Sequence, residues 1–337
     1  MSNLDSLLNG FPRAGFVPHP TPMDRLNNLS ERLDLDLWIK RDDLTGIGLG
    51  GNKIRQLDYY FGAAQNASAD TILITGAVQS NYVRSAAACA ARTGMKSILQ
   101  LENRVPNKDE IYATSGNVLL SKLLGAEHMF YPEGEDESGA DDALRARAVE
   151  LQAEGRCPYV IPLGLHNKPL GALGYMRAAE EVVTQDDTFD AVVVASGSGM
   201  THSGILAGLR AMGSDVAVHG ICVRRDAKAQ FERLQVLGRN ISDLLRQKNI
   251  FSDDDIHTWD EALAPGYGQM GDHTRHALHL MAQSEGLFLD PVYTSKSFAG
   301  LLALRASGVI ASGNKVLFVH TGGQPALFAY GDDLLGP

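Results

Sequence analysis

The sequence contains few cysteines, no cluster of basic residues and no long hydrophobic run. Its three cysteines, Cys89, Cys157 and Cys222, are far apart and odd in number, so they predict reduced, mostly buried thiols rather than a disulfide framework. Neither these cysteines nor the His, Asp and Glu residues have the spacing of a metal site, and we expect none. The formal net charge of −10, without a Lys/Arg cluster, is not typical of a nucleic-acid-binding protein.

No apolar run approaches the roughly 18 residues that a membrane-spanning helix needs. Residues 1–10 also lack the basic-then-apolar order of a signal peptide. We therefore expect a cytoplasmic protein that does not contact a membrane. The acidic stretch 133–142 is interpreted as a solvated loop that runs into the start of a helix.

Short apolar runs alternate with longer helix-like stretches over the 337 residues. This length allows more than one domain, and the alternation predicts an α/β fold with parallel sheets. The predicted strands are 37–40, 71–75, 97–101, 128–131, 159–161, 191–195, 216–222 and 315–320, and the predicted helices include 81–93 and 140–154. The runs 191–195 and 316–319 are apolar at every position, as in strands that are covered on both faces.

Glycines stand just beyond three of the predicted strands. They are Gly76, Gly197, Gly199, Gly322 and Gly323. Ligands of open α/β sheets bind outside the carboxyl ends of the strands. These turns therefore predict a single ligand that is contacted from several strands.

The string Gly50-Gly51-Asn52-Lys53 places a lysine after two glycines at a predicted helix start. Glycines let the backbone approach a ligand closely, and a helix N-terminus favours the neutral amine that Schiff-base chemistry needs. A solvated lysine on an ordinary first helical turn would give the same short string. The interpretation of Lys53 as a reactive amine therefore depends on the rest of the chain.

Two segments after predicted strands carry hydroxyl and amide groups. Segment 196–204, Ser-Gly-Ser-Gly-Met-Thr-His-Ser-Gly, suits a phosphate at a helix N-terminus, although it matches neither a Walker A loop nor a dinucleotide fingerprint. An ordinary strand–helix turn is the alternative. In segment 79–82, Ser80 and Asn81 either cap a helix or bind a substrate carboxylate.

Two further segments lie near the C-terminus. Tyr293, in the Pro-anchored segment 290–296, is either an acid or base or simply a half-buried tyrosine. At the end of the last predicted strand, the hydroxyl of Thr321 can bond a heteroaromatic nitrogen, whereas His320 is equally well a satisfied core histidine.

Taken in order, these segments resemble one family. The motifs GGNKxR, QSN, SGSxxTH, APGYG, DPVYTxK and HTGG, between Pro12 and Tyr330, resemble the fold-type-II pyridoxal-phosphate (PLP) enzymes of the D-cysteine desulfhydrase, L-cysteate sulfo-lyase and 1-aminocyclopropane-1-carboxylate deaminase group. The resemblance implies an α/β fold like that of tryptophan synthase β, with two open parallel-sheet domains, PLP in the cleft between them, and a homodimer. It implies a large PLP-binding domain of residues 1–55 and 166–337 and a small domain of residues 56–165.

The resemblance also implies a role for each site residue. The implied cofactor contacts are Lys53 as a Schiff base, Asn81 at the 3′-oxygen, Ser198, Gly199, Met200 and Thr201 at the phosphate, and Thr321 at the pyridine nitrogen. The implied substrate contacts are Ser80, Asn81, Tyr82, Lys168, Tyr267 and Tyr293, and the implied catalytic residues are Lys53, Ser80 and Tyr293. A hydroxyl holds a proton on the pyridine nitrogen less well than a carboxylate does, which weakens the electron sink and suits β-elimination.

Three reactions of the family need to be separated. In the deaminase branch a glutamate follows the motif tyrosine, whereas Thr294 follows Tyr293 here, which favours β-elimination over ring opening. Elimination from D-cysteine releases hydrogen sulfide, and elimination from L-cysteate releases sulfite. Tyr82, His166 and Lys168 depart from the desulfhydrase pattern and offer donors for a sulfonate. The sequence leaves both substrates open, and a PLP-binding protein without catalysis is a further alternative.

Overall fold

The structure is a computed structural model that describes residues 3–106 and 108–335. The predicted domain ranges also include Met1, Ser2, Asn107, Gly336 and Pro337, which lie outside the described residues. The strands are β1 Met23–Arg25, β2 Asp36–Lys40, β3 Thr71–Ala77, β4 Lys96–Glu102, β5 Glu127–Tyr131, β6 Pro158–Ile161, β7 Ala191–Ser196, β8 Ala217–Cys222, β9 His257–Trp259 and β10 Lys315–Val319.

The helices connect these strands and cover both sheets. They are α1 Asn3–Leu8, α2 Asn27–Leu33, α3 Asn52–Asn66, α4 Asn81–Thr93, α5 Glu110–Thr114, α6 Gly116–Leu123, α7 Glu137–Ala153, α8 Leu170–Gln185, α9 Met200–Ala211, α10 Ala227–Leu245, α11 Asp272–Glu285, α12 Thr294–Ala306 and α13 Gly331–Leu335. Short 3-10 turns at Asp42–Leu44, Ile47–Leu49, Asp253–Asp255 and Gln324–Ala329 complete the described elements.

The strands form two open sheets. One has six strands in the order β1-β2-β10-β7-β8-β9 and the other has four in the order β5-β4-β3-β6. Every pair is parallel except β1 with β2. All eight predicted strands are present, while β1 and β9 were not predicted because each has only three residues and little apolar character.

The uniformly apolar strand β7 lies at the centre of the six-stranded sheet. Val192 and Val194 pack into one hydrophobic cluster, and Val193, between them, packs into another on the opposite face. Alternate side chains of a strand point to opposite faces, so both faces of β7 are covered. This is the arrangement that an all-apolar strand predicts.

The N-terminus of α3, which carries Lys53, is held by the end of β10. The amide N–H of Asn52 donates to the carbonyl of Thr321 at 2.9 Å. A Cβ on Gly322 would lie 2.6 Å from the Cα of Gly51, so glycine is required for the two backbones to approach this closely. This contact places Lys53 next to Thr321 at the carboxyl ends of the strands.

The first turns of α3 are also fixed by a buried ion network. Arg55 donates two hydrogen bonds of 2.9 Å to Asp42 and also pairs with Glu181. Tyr175 donates to the same Asp42 carboxylate at 2.6 Å. Desolvation of Asp42 is outweighed mainly by the charge of Arg55, so the pKa of this carboxyl stays below its usual value. The network orients α3 relative to α8.

The order in which the chain builds the two sheets agrees with two domains. Strands β3 to β6 build the four-stranded sheet, and strands on both sides of them in sequence build the six-stranded sheet. The domain limits of 1–55 with 166–337, and of 56–165, stay a prediction.

Among the described helices none is long and apolar enough to cross a membrane. The three cysteines are free, and two of them, Cys89 and Cys222, are buried while Cys157 is exposed, which agrees with the expectation of mostly buried thiols.

Candidate active site

Two adjoining cavities lie between the sheets, and both are lined by Lys53, Asn81, Gly197, Ser198 and Tyr293. All the predicted site residues line one or both of them. These are Lys53, Ser80, Asn81, Tyr82, Lys168, Ser198, Gly199, Met200, Thr201, Tyr267, Tyr293 and Thr321. Segments that are up to 268 positions apart in the sequence (from Lys53 to Thr321) therefore converge on one place, as the glycine turns predicted.

Lys53 stands in the first turn of α3 with its amine directed into the site. Desolvation by burial lowers the pKa of the Lys53 amine to about 8. Within residues 3–106 and 108–335 no carboxylate pairs with this amine, and its Nζ lies 5.2 Å from the centroid of the Tyr82 ring. A substantial fraction of the amine is therefore neutral near pH 8 and able to act as a nucleophile.

The turn after β7 has the features of a phosphate cradle. Gly199, the N-cap of α9, has φ of 86°, and a Cβ there would lie 2.7 Å from Leu237. The Thr201 hydroxyl accepts hydrogen bonds of 2.9 Å from both Asn52 and Gln56. With both lone pairs engaged, its proton is available to an anion. The free N–H groups and the dipole of α9 add to this preference for an anion.

Two arginines hold the carbonyl groups of this turn. Arg225 donates to the carbonyl of Gly197 at 3.2 Å, and Arg233 donates to that of Ser198 at 2.8 Å. With its carbonyl oxygens bound on the arginine side, the turn leaves its amide groups for the cavity. These arginines were not predicted from the sequence, although Arg225 lies just beyond the end of β8.

Asn81 and Ser80 start α4 beside the cradle. The Asn81 Oδ1 accepts a 3.0 Å hydrogen bond from Asn117, which leaves its Nδ2 as the donor for a ligand. The Ser80 hydroxyl accepts from the amide N–H of Tyr82 at 3.1 Å and so caps the helix. Capping uses the oxygen as acceptor and leaves the hydroxyl proton for a substrate carboxylate. The two readings of Ser80 are therefore compatible.

Two tyrosines meet across the cavity. The hydroxyl oxygens of Tyr267 and Tyr293 are 2.5 Å apart. Burial, and then the neighbouring Tyr267, raise the pKa of Tyr293 well above its usual value, while the charge of Arg104 opposes this. Tyr293 is therefore protonated at neutral pH, which suits a proton donor better than a base.

Two histidines near these groups are hydrogen-bonded within the core, whereas Thr321 lines a cavity. His320 makes hydrogen bonds with the carbonyl of Phe288 and the amide of Gly322, so it is a satisfied core histidine. His202 is likewise bound to Ser196 and the carbonyl of Val218. Thr321 lines the smaller cavity together with Lys53. No group of three or more His, Cys, Asp or Glu in the described part of the chain is arranged to hold a metal ion.

Of the three residues that depart from the desulfhydrase pattern, two line the larger cavity and one does not. Tyr82 and Lys168 line the larger cavity. His166 lies outside the lining and instead contacts Arg145 and Asn167. Lys168 and Tyr82 therefore remain candidates for contacting a substrate side chain, and His166 does not.

The acidic stretch 133–142 runs from a mostly exposed loop into the start of α7, as predicted, but Glu137 is an exception to its solvated character. Its side chain is only 15% exposed, it begins α7, and it lines the larger cavity. It pairs with Arg224, Arg225 and Arg233 at 3.0, 2.7 and 3.1 Å. Glu137 is hidden among acidic neighbours in the sequence, and its arginine partners follow 87 to 96 residues later. Glu137 thus links the four-stranded half of the cleft to the phosphate cradle.

The donors around the cavity fit PLP. A partly neutral lysine amine, a glycine-containing helix N-terminus with a free hydroxyl proton at Thr201, and an amide donor at Asn81 match an aldehyde, a phosphate and a ring oxygen. Thr321, at the end of β10, lines the smaller cavity with a hydroxyl and not a carboxylate, which fits the expected partner of the pyridine nitrogen.

Comparison with known proteins agrees with this site. The family model described as pyridoxal-phosphate dependent enzyme matches residues 16–322, so the chain belongs to that family and uses PLP as its cofactor. The D-cysteine desulfhydrase of Salmonella typhimurium is 40% identical over 326 residues, which cover 96% of this chain and 97% of the relative. That of Salmonella typhi is equally similar.

Solved structures confirm the predicted fold. The crystal structure of an ACC deaminase homologue has a TM-score of 0.89 at 38% identity and covers 99% of both chains. Threonine deaminase isoform 2 from Solanum lycopersicum has a TM-score of 0.65 at 15% identity, covering 95% of this chain and 88% of that one, and is similar in fold alone. The two-sheet PLP-enzyme fold inferred from the motifs is therefore correct, while the role of each site residue stays a prediction.

The lowered pKa of Lys53 predicts how cofactor binding depends on pH. Because the amine becomes neutral as the pH passes about 8, the rate at which apoprotein regains colour with PLP should rise about fivefold from pH 7 to pH 8 and level off above about pH 9. Lys53→Ala is the control and should not form the absorbance band of the lysine Schiff base at any pH. A rate that keeps rising tenfold per pH unit beyond pH 9 would mean that burial does not lower this pKa.

The contacts of Glu137 predict a role in retaining the cofactor. Glu137→Gln leaves three arginines without their shared carboxylate, so they repel one another and the cradle carbonyls lose their support. We expect bound PLP to dissociate about tenfold faster, as measured by loss of its absorbance after dilution. Glu150→Gln is the matched control, because Glu150 lies on the same helix and pairs only at the surface. Equal dissociation rates in both variants would contradict this role.

Proposed function

We propose that the chain is a PLP-dependent carbon–sulfur lyase that cleaves a 3-substituted alanine by β-elimination, with D-cysteine as its substrate. D-cysteine and water would yield pyruvate, hydrogen sulfide and ammonia. The D-cysteine desulfhydrases that match nearly the whole chain support this substrate. The observation that carries the reaction type is the tyrosine hydroxyl pair, at 2.5 Å, in the cavity that also contains the Lys53 amine.

β-Elimination needs a base for the α-proton and a proton donor for the departing sulfur. PLP, when bound, supplies the electron sink for the charge left on the α-carbon. The Lys53 amine, with its pKa near 8, is suited to accept the α-proton. Protonated Tyr293, bonded to Tyr267, is suited to donate a proton to the leaving sulfur. Ser80 orients the substrate carboxylate at the N-terminus of α4.

Thr294 supports elimination over ring opening. It is fully buried and donates to the Asp290 carboxylate at 2.7 Å, while its own amide N–H bonds the same oxygen at 2.7 Å. Its side chain is therefore held by Asp290 and is absent from the lining of both cavities. Position 294 offers no acid or base to a cyclopropane ring, although a solved ACC deaminase homologue has a closely similar fold.

L-Cysteate is a second candidate substrate because of the charges around the larger cavity. Its lining includes the cations Lys53, Arg104, Lys168, Arg224 and Arg233 against the single carboxylate Glu137 among the described residues. The buried Nε of Arg224 has no hydrogen-bond partner in the described part of the chain. A sulfonate is a permanent anion that such donors bind well.

A pyruvate-release assay over D-cysteine, L-cysteate, β-chloro-D-alanine and 1-aminocyclopropane-1-carboxylate tests the proposal. We expect turnover of D-cysteine and β-chloro-D-alanine, with sulfide released only from D-cysteine. Turnover of L-cysteate with release of sulfite, and none of D-cysteine, would favour the second candidate. Release of 2-oxobutanoate from the cyclopropane substrate alone would overturn both.

We also propose that the protein is a homodimer. A groove beside the Gly50 turn is lined by Leu44, Leu49, Leu119 and Phe328, whose exposed fractions are between 48% and 74%. An exposed apolar surface of this kind is typical of an interface between proteins. A second copy of this chain is the proposed partner because the family resemblance implies a homodimer. The cytoplasmic location stays a prediction that cell fractionation can check.

Disrupting this surface should separate the subunits. Leu119→Asp with Phe328→Asp places two charges in the apolar groove, so sedimentation velocity should change from a dimer to a monomer. Val149→Asp is the control because Val149 is equally exposed on α7, away from the groove, and should leave the dimer intact. A monomeric wild-type protein would refute the proposed homodimer.

A further inference from the structure

Lys296 is a buried lysine that the proposed reaction does not use. It lies in the first turn of α12, its residue is fully buried, and it belongs to the same motif as Tyr293. Its Nζ donates to the carbonyls of Leu263 and Gly266, both at 2.6 Å. No carboxylate in the described part of the chain pairs with it, and desolvation lowers the pKa of its amine to about 8.

A buried ammonium without a carboxylate is unfavourable unless its hydrogen bonds offset the cost of desolvation. Its transfer from water costs several kcal/mol, and an apolar side chain of similar length would avoid that cost. The carbonyls that it binds belong to the turn 263–266, which directly precedes Tyr267. That turn is otherwise near the surface, with Pro265 exposed. The lysine therefore adds two hydrogen bonds to a turn that is otherwise held by those from Leu263 N–H to the Asp260 carbonyl and from Gln269 N–H to the Gly266 carbonyl.

The geometry of α12 connects this anchor to the active site. Tyr293 is the N-cap residue of α12, and Lys296 is three positions further on, so the same helical turn carries both. Tyr293 supplies one hydroxyl of the 2.5 Å pair, and the loop held by Lys296 supplies the other, from Tyr267. One rigid element thus determines the position of both hydroxyls.

We propose that Lys296 is a positioning residue, whose ammonium fixes the turn 263–266 and thereby holds the Tyr267 hydroxyl against that of Tyr293 in the active site. The proposal rests on the proposed function only for its catalytic consequence. The anchoring of the turn is a property of the loop that can be measured independently.

The first test measures the loop directly. Lys296→Met keeps the length of the side chain and removes the charge and the donors. In the holoenzyme we expect amide hydrogen exchange in residues 264–270 to become at least about tenfold faster, because opening of this segment no longer breaks the two hydrogen bonds. Exchange elsewhere, and the thermal midpoint, should stay close to wild type. Lys228→Met is the control, because Lys228 is an exposed lysine on α10. Unchanged exchange in residues 264–270 would overturn the proposal.

The second test asks whether Lys296 acts through Tyr267. Lys296→Met should lower kcat/KM for pyruvate release about tenfold, mainly through kcat, which corresponds to the loss of one hydrogen bond. In a Tyr267→Phe background the same change should cost less than about twofold, because the hydroxyl that it positions is already absent. Additive losses would overturn the positioning role. If the wild-type protein released no pyruvate from any substrate, the proposed function would fail, while the exchange test would still decide the anchor.

Discussion

The site depends on the close approach of two backbone segments, the Gly51 turn before α3 and the Gly322 turn after β10. Residue 322 must be glycine, because a Cβ at this position would lie only 2.6 Å from the Cα of Gly51. The hydrogen bond from Asn52 to the Thr321 carbonyl then fixes the first turn of α3. Lys53 and Thr321, which are expected at opposite parts of the cofactor, are brought together by this contact. The buried network around Arg55 and Asp42 prevents the helix from turning away.

Buried cations then hold the remaining loops of the site by their carbonyl groups. Arg84 donates to the carbonyls of Gly48 and Gly50, ahead of Lys53. The phosphate cradle and the Tyr267 loop are held in the same way, by the arginine pair after β8 and on α10, and by Lys296. A cation that binds carbonyl oxygens leaves the N–H groups and side chains of a loop free to face the ligand. The site is therefore assembled from turns whose shape these cations help to fix.

Much of this could be predicted from the sequence, because glycines and hydroxyl residues at strand ends are local signals. The turn at Ser198 and the helix start at Asn81 were identified in this way, and both line the cavities. Glu137 and its arginine partners could not be predicted. Each is an ordinary charged residue in its local context, and its role arises only when the start of α7 meets the end of β8. The short strands β1 and β9 were missed for a related reason, since their pairing and not their composition makes them strands.

The use of cations as loop anchors also determines what the cavity binds. One of these anchors, Arg233, also lines the larger cavity, whose lining has five cationic side chains for one carboxylate among the described residues. The chain as a whole carries a net charge of −10, so the local potential opposes the global one. Anions are the guests that compensate such a lining, and PLP brings a phosphate while an amino acid brings a carboxylate. Arg233 thus both fixes the turn at Ser198 and contributes charge to the cavity, so a substitution at this anchor affects both geometry and charge.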